Sequence, residues 1–152
     1  MRKIITILTT ILLLLSMLPH ALAAEDKPEI PFFGVGANVQ ELNDGSFVVK
    51  TEGEKAEEGF VFTPKEPFTT TQISLQISLK GTGTVLLKIS ETDPRGRFIK
   101  DKSMEVQLTE DWTVHVLPFE LASTSSQIDV SVVTKDATKT EFSYKDLKIN
   151  QE

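Results

Sequence analysis

The sequence predicts an all-β protein built as a two-sheet antiparallel sandwich of eight or nine strands. Three observations predict it. From Phe32 onward apolar residues recur with a period of two, the spacing of side chains along one face of a strand. No stretch carries the 3.6-residue amphipathic pattern of a helix, so a parallel sheet would have nothing to cover its faces. Turn residues also recur at roughly ten-residue intervals, as in sandwich domains.

Residues 1–23 stand apart from this pattern. Arg2 and Lys3 lead into an apolar run from Ile4 to Leu18, Pro19 closes it, and Ala21-Leu22-Ala23 offers the small residues of a cleavage site. A run of about 15 residues is shorter than the roughly 20 a membrane helix needs. The segment reads as a secretory signal peptide. Residues 24–31, charged and proline-bearing, read as a loose leader, and residues 32–152 as a single sandwich domain.

Within the domain, Phe32 and Phe33 are placed to cover one end of the sandwich. Asn43-Asp44-Gly45 turns the chain into a strand over Ser46–Thr51, with Phe47 and Val49 on its core face. The acid-rich stretch Glu52–Glu58 is expected as a solvated loop, followed by a short strand over Glu58–Thr63 whose Phe60 and Phe62 share a face.

The plainest alternation runs from Gln72 to Lys80, where Ile73, Leu75, Ile77 and Leu79 take one face. Val85, Leu87 and Ile89 repeat it after Gly81-Thr82-Gly83, which predicts a hairpin, with Leu86 the apolar exception outside. Asp93-Pro94-Arg95-Gly96 has the composition of a type I turn. Met104, Val106 and Leu108 form the next apolar face, then Trp112, Val114 and Val116, then Ile128, Val130 and Val132.

Two strands change parity. Trp112, Val114 and Val116 are even whereas Phe119 and Leu121 are odd, with Pro118 between, so a bulge or sheet switch is expected there. Phe142 and Tyr144 are even whereas Leu147 and Ile149 are odd. A second irregularity is expected at Lys145-Asp146.

Composition excludes several classes. There is no Cys, hence no disulfide and no thiolate chemistry. The formal net charge is −6, and loss of Arg2 and Lys3 with the signal peptide leaves 14 basic against 22 acidic side chains, a net −8. That disfavours nucleic acid and anionic membrane surfaces, which draw most of their affinity from positive charge.

An enzyme is not expected. His115 is the one histidine outside the signal segment, and its strand position predicts an outward, isolated side chain. No His cluster for a metal is possible, the carboxylates have no distinguishing context, and Gly34-Val35-Gly36 and Gly81-Thr82-Gly83 lack the helix a phosphate loop requires.

From Pro67 to Asn150 the sequence resembles the jelly-roll carbohydrate-binding modules of secreted glycoside hydrolases. The resemblance lies in the Ile73-to-Leu79 strand, the glycine turn, Val85-Leu86-Leu87-Lys88-Ile89-Ser90 and the Asp93-to-Gly96 turn. It continues through Val106-Gln107-Leu108-Thr109-Glu110-Asp111-Trp112, and closes with Phe142-Ser143-Tyr144-Lys145-Asp146-Leu147-Lys148-Ile149. It implies a jelly-roll sandwich, a polysaccharide ligand and a structural calcium held in part by an acidic pair before the final strand. Only Asp146 matches that pair, preceded here by Lys145.

Sugar recognition in such a module uses exposed aromatic faces against pyranose CH groups, with amides and carboxylates on the hydroxyls. The chain has one Trp and one Tyr. Trp112 and Tyr144 are therefore the candidate platforms, although the parity of Trp112 with Val114 and Val116 also suits packing at the core or a sheet edge. Gln76, Gln107, His115 and Asp129 would supply polar contacts if their strands are neighbours. The expected function is a secreted, non-catalytic protein that binds a polysaccharide or cell-surface glycan, free of the membrane once cleaved. The alternative is an extracellular structural or protein-interaction sandwich, with Leu86 and Val133 as a flat patch.

Overall fold

A computed structural model describes residues 32–65 and 67–151. The expected signal peptide and leader lie outside the described residues. Ten strands form two five-stranded antiparallel sheets, one strand more than the upper expectation. In chain order they are β1 Phe32–Val35, β2 Ala37–Glu41, β3 Phe47–Thr51, β4 Gly59–Phe62, β5 Gln72–Gly81, β6 Thr84–Thr92, β7 Phe98–Gln107, β8 Thr113–Glu120, β9 Gln127–Thr134 and β10 Glu141–Gln151. The first sheet has the order β1-β4-β9-β6-β7 and the second β2-β3-β10-β5-β8. No helix among the described residues is long and apolar enough to cross a membrane.

The sheets face each other through the predicted alternating residues. Ile73, Leu75, Ile77 and Leu79 of β5 meet Val85, Leu87 and Ile89 of β6 in one buried cluster with Val130 and Val132 of β9. Burial of a side chain of this size contributes roughly 1.5–3 kcal/mol, and the cluster is contiguous. At its centre the aromatic rings pack on one another: Phe47 on Tyr144 at 4.8 Å and Tyr144 on Phe60 at 4.1 Å, both stacked.

Two turns were legible in the sequence. Gly45 has φ 78° and its N–H donates to the Leu42 carbonyl at 3.0 Å, closing the β2–β3 hairpin, while Asp44 Oδ1 accepts from the Ser46 N–H and hydroxyl. The Asp93–Gly96 turn closes β6–β7 in the same manner, with Gly96 at φ 77°. In both, the glycine supplies the left-handed residue that a type I turn needs to re-enter a ladder.

The predicted hairpin of β5 with β6 does not form. β5 belongs to the second sheet and β6 to the first, and Gly81-Thr82-Gly83 carries the chain between them. Instead Gly81 N–H donates to the Thr109 carbonyl and Leu108 N–H to the Gly83 carbonyl. Two consecutive one-sided strands satisfy their apolar faces equally well side by side or face to face, so alternation alone does not choose.

The expected break at Pro118 is also absent. β5 and β8 pair without interruption from Gln72 opposite Glu120 to Leu79 opposite Thr113. Thr113, His115, Leu117 and Phe119 all face inward, whereas Val114, Val116 and Pro118 face out. The odd residues therefore set the parity of the whole strand. Proline is tolerated because β8 is an edge strand.

The second irregularity is present: the β10–β5 register shifts between Lys145 and Lys148, and Asp146 adopts φ 53°. A one-residue insertion there lets both Tyr144 and Ile149 face the core.

Glu58, expected in a solvated loop, is fully buried. Burial pushes its carboxyl up, but the N–H groups of Gly53, Lys55 and Glu54 all donate to it and hold it below the ordinary value. Glu91, two residues before the Asp93 turn, is buried and points inward between the sheets. Its Oε1 accepts the Ala122 N–H at 2.7 Å and its Oε2 lies 3.8 Å from Lys100 Nζ. Lys100 and Lys102 occupy inward positions of β7, and Lys102 Nζ donates to the Pro118 carbonyl on β8. Inward-pointing lysines at a sheet edge discourage pairing with another strand.

Candidate functional site

The outward face of the second sheet carries an exposed apolar row on a regular strand; Phe98 and Ile99 of β7 are exposed at the edge of the other sheet. Because the odd residues of β8 are committed to the core, its even residues have no choice but solvent: Val114 is 61% exposed and Val116 49%. Trp112 immediately precedes them and Pro118 follows, so four apolar side chains run along one edge of this face. A contiguous apolar row on a solvated sheet is a mark of binding rather than packing.

Beside this row lie the outward residues of β5 and β10. The register places Ser78 between Val114 and Lys145, Gln76 between Val116 and Lys148, and Ser74 between Pro118 and Asn150. Ser74 and Ser78 are each only 5% exposed although they point outward, because these small side chains sit low between larger neighbours. The outward residues of β5 thus run between an apolar row on β8 and a polar row on β10.

Trp112 stands at one end of this strip. Lys80 Nζ lies 4.8 Å from the centre of the indole and Lys145 Nζ 4.7 Å, so the ring extends over β5 toward β10 and holds two ammonium groups by cation–π attraction. Asp146, at the bulge, accepts from the Ser78 hydroxyl at 3.2 Å.

Asp146 makes a poor centre for calcium. It is flanked by Lys145, and among the described residues no three His, Cys, Asp or Glu side chains come together to hold a metal. Calcium takes six to eight oxygen ligands, and one carboxylate already bonded to a serine does not build that shell.

The remaining sequence-predicted site residues scatter. Tyr144 is 2% exposed, stacked between Phe47 and Phe60, and burial raises its pKa. It is a core residue, not a platform, because the bulge follows it and leaves its parity with Phe142 intact. His115 faces inward opposite Ile77, with Nε2 2.9 Å from Thr113 Oγ1, and burial lowers its pKa.

Gln107 lies on the edge strand of the first sheet, where Thr84 Oγ1 donates to its Oε1 and its Nε2 donates to the Gly83 carbonyl. Asp129 lies on the outer face of that same sheet, accepting from Thr63. Gln76, Gln107, His115 and Asp129 therefore do not converge. Of the predicted set, Trp112, Gln76 and Asp146 share one face.

The apolar row itself was misread in the sequence as core. Its signal was present in Pro118, which shares the parity of the even series, and in the equally long odd series Leu117, Phe119 and Leu121. In the sequence Lys80 ends an alternating strand and Lys145 stands at the expected irregularity beside Asp146; nothing in one dimension brings them to the same indole.

No protein-family model matches the sequence, and no curated protein matches it. Solved structures do match. The family 11 carbohydrate-binding module from Clostridium thermocellum, in complex with a β-1,3-1,4-mixed-linked tetrasaccharide, superposes with a TM-score of 0.62 at 12% identity, covering 84% of this chain and 92% of that one. A xylanase 10B fragment of the same organism, with a family 22 module and bound xylohexaose, gives 0.61 at 16% identity over 80% of this chain and 26% of that one.

A family 61 module in complex with β-1,4-galactotriose gives 0.54 at 14% identity, over 80% and 89%. Against the longer enzyme chains it matches, this chain spans between 18% and 26% of their length. The fold is the jelly-roll sandwich of carbohydrate-binding modules.

Proposed function

We propose that this chain is a secreted, non-catalytic protein that binds a polysaccharide along the outer face of the β2-β3-β10-β5-β8 sheet. The observation that carries the proposal is the row of half-buried Trp112 and exposed Val114, Val116 and Pro118 beside the polar residues Gln76, Lys148 and Asn150. Sugars combine apolar CH faces with a rim of hydroxyls, and a sheet face with one apolar and one polar row suits both. Modules of the same fold are described with bound oligosaccharides, which agrees with this reading. Secretion is supported by the signal-peptide pattern of residues 1–23.

Binding rather than turnover is supported by the inward turn of His115 and by the carboxylates of the face, where Asp146 is bonded to the Ser78 hydroxyl and Glu120 and Glu141 lie at opposite ends. Trp112 is the one tryptophan in the chain, so its fluorescence reports on this face alone. Titration with a panel of soluble glycans should shift that emission, and Trp112→Ala should lose retention in glycan-containing native gels while melting normally. Retention that survives Trp112→Ala together with Val114→Ser would move the site elsewhere.

A protein-interaction role has one observation in its favour. Phe33, 56% exposed on the outer face of the first sheet, adjoins a depression of about 290 Å³ that Val61 and Val133 also line. Loss of partner capture in Phe33→Ser with glycan binding intact would support it.

A further inference from the structure

The lysines of this face point to the class of polysaccharide. Lys50 is paired with Glu141 at 3.1 Å, but Lys80, Lys145 and Lys148 have no ion pair among the described residues. Two of the three hold their ammonium groups at the Trp112 ring. A neutral sugar stacking on that indole would have to push the ammonium groups aside. A sugar bearing an anion meets the ring edge and both cations together, and gives them a partner at ion-pair distance, which among the described residues neither has, Asp44 acting on Lys145 from farther away.

Spacing and charge narrow the anion. Lys145 and Lys148 pair with Ser78 and Gln76, two residues apart on β5, which sets their backbone positions about 7 Å apart along the strand. The protein is acidic overall, at a net −6, and Asp146, Glu120 and Glu141 border the same face. A densely sulfated chain would be repelled by that surround. A polymer with one carboxylate per sugar matches a few cations spaced along an apolar strip.

We infer that the ligand is a uronic-acid polysaccharide, its carboxylates held by Lys80, Lys145 and Lys148 and its rings lying along Trp112, Val114 and Val116. This rests on the reading of the face as a polysaccharide site.

Native affinity electrophoresis tests it, with polygalacturonate, alginate, carboxyl-reduced polygalacturonate, a sulfated galactan and a mixed-linked β-glucan in parallel gels. Expected is retardation by a polyuronate, weakened as salt rises, absent on the carboxyl-reduced polymer, and about tenfold weaker in Lys80→Gln/Lys145→Gln. Lys148→Gln should weaken it by a smaller factor. These side chains lie at the surface, and unchanged melting curves establish that the variants fold.

Retardation by the β-glucan or the reduced polymer that the lysine variants retain would overturn the inference and leave the polysaccharide reading standing. Retardation by the sulfated galactan alone would overturn it as well. No retardation in any gel would remove both.

Discussion

Tyr144 lies flat against Phe60, ring centres 4.1 Å apart and planes within 18° of parallel, so the last strand is locked to the opposite sheet through two aromatic faces. The Tyr144 hydroxyl is buried there without a hydrogen-bond partner. An unsatisfied buried hydroxyl costs free energy that an apolar edge does not.

Tyr144→Phe is therefore expected to be neutral or to stabilise by up to about 1 kcal/mol. Tyr144→Ala opens a cavity between Phe47 and Phe60 and should cost about 3–5 kcal/mol. Urea unfolding of the two variants measures both, and a Phe variant clearly less stable than the parent would contradict this account of the hydroxyl.

Glu58 should make the β3–β4 connection sensitive to acid. Its folded pKa lies below its ordinary value of 4.5, so the stability it contributes is present above that value and is lost as pH falls through the folded pKa. Asp44 and Asp93 are lowered as well, chiefly by hydrogen bonds from Ser46 and Arg97 respectively, and act in the same direction. Glu58→Gln should lower the melting temperature at neutral pH and reduce, without abolishing, the fall in stability below about pH 4.5. Parallel slopes for variant and parent would discount the carboxylate.

His115 adds a second pH dependence at a higher window. Burial lowers its folded pKa below the ordinary 6.5, so the unfolded chain takes up a proton first and stability declines as pH falls from about 6.5. His115→Val should remove that step from a melting-temperature profile taken between pH 8 and 5, conditions chosen at about the imidazole range. A profile unchanged by the substitution would place the titrating group elsewhere.

Gly59 is required by space. A Cβ added there would lie 2.0 Å from the Val132 carbonyl oxygen, an atom of the neighbouring strand that cannot step aside. Gly59→Ala is expected to cost about 3 kcal/mol or more. At Gly83 a Cβ would meet nothing within 4 Å, so Gly83→Ala carries only the cost of φ 92°, about 1–2 kcal/mol. Equal losses at the two positions would defeat the steric argument.

The apolar row gives the last expectation. Val114→Thr together with Val116→Thr touches no core contact, so stability should change by less than about 0.5 kcal/mol per site while glycan retention falls. Aggregation relieved by the pair, with retention untouched, would make the row a liability rather than a site.

Alternation alone determined that this chain is all-β, which residues of β3, β4, β5, β6 and β9 form the core, where the two glycine turns close, and that the final strand must bulge near Asp146. These are local facts, fixed by side-chain period and by the backbone freedom of Gly45 and Gly96. It also singled out Trp112 and Gln76 without the face they share.

Only tertiary structure decided which strands are neighbours. The pairing of β8 with β5 turned Val114 and Val116 outward and His115 inward, and the bulge kept Tyr144 in the core. The crossing at Gly81–Gly83 separated Gln107 and Asp129 from Gln76. The reason is physical: a strand's period says that one face is buried, but the choice of face and partner is settled by the sum of contacts across the whole sandwich. Lys80, Lys145 and Trp112 belong to three strands or their ends, far apart in sequence, and become one site only when β5 lies between β8 and β10.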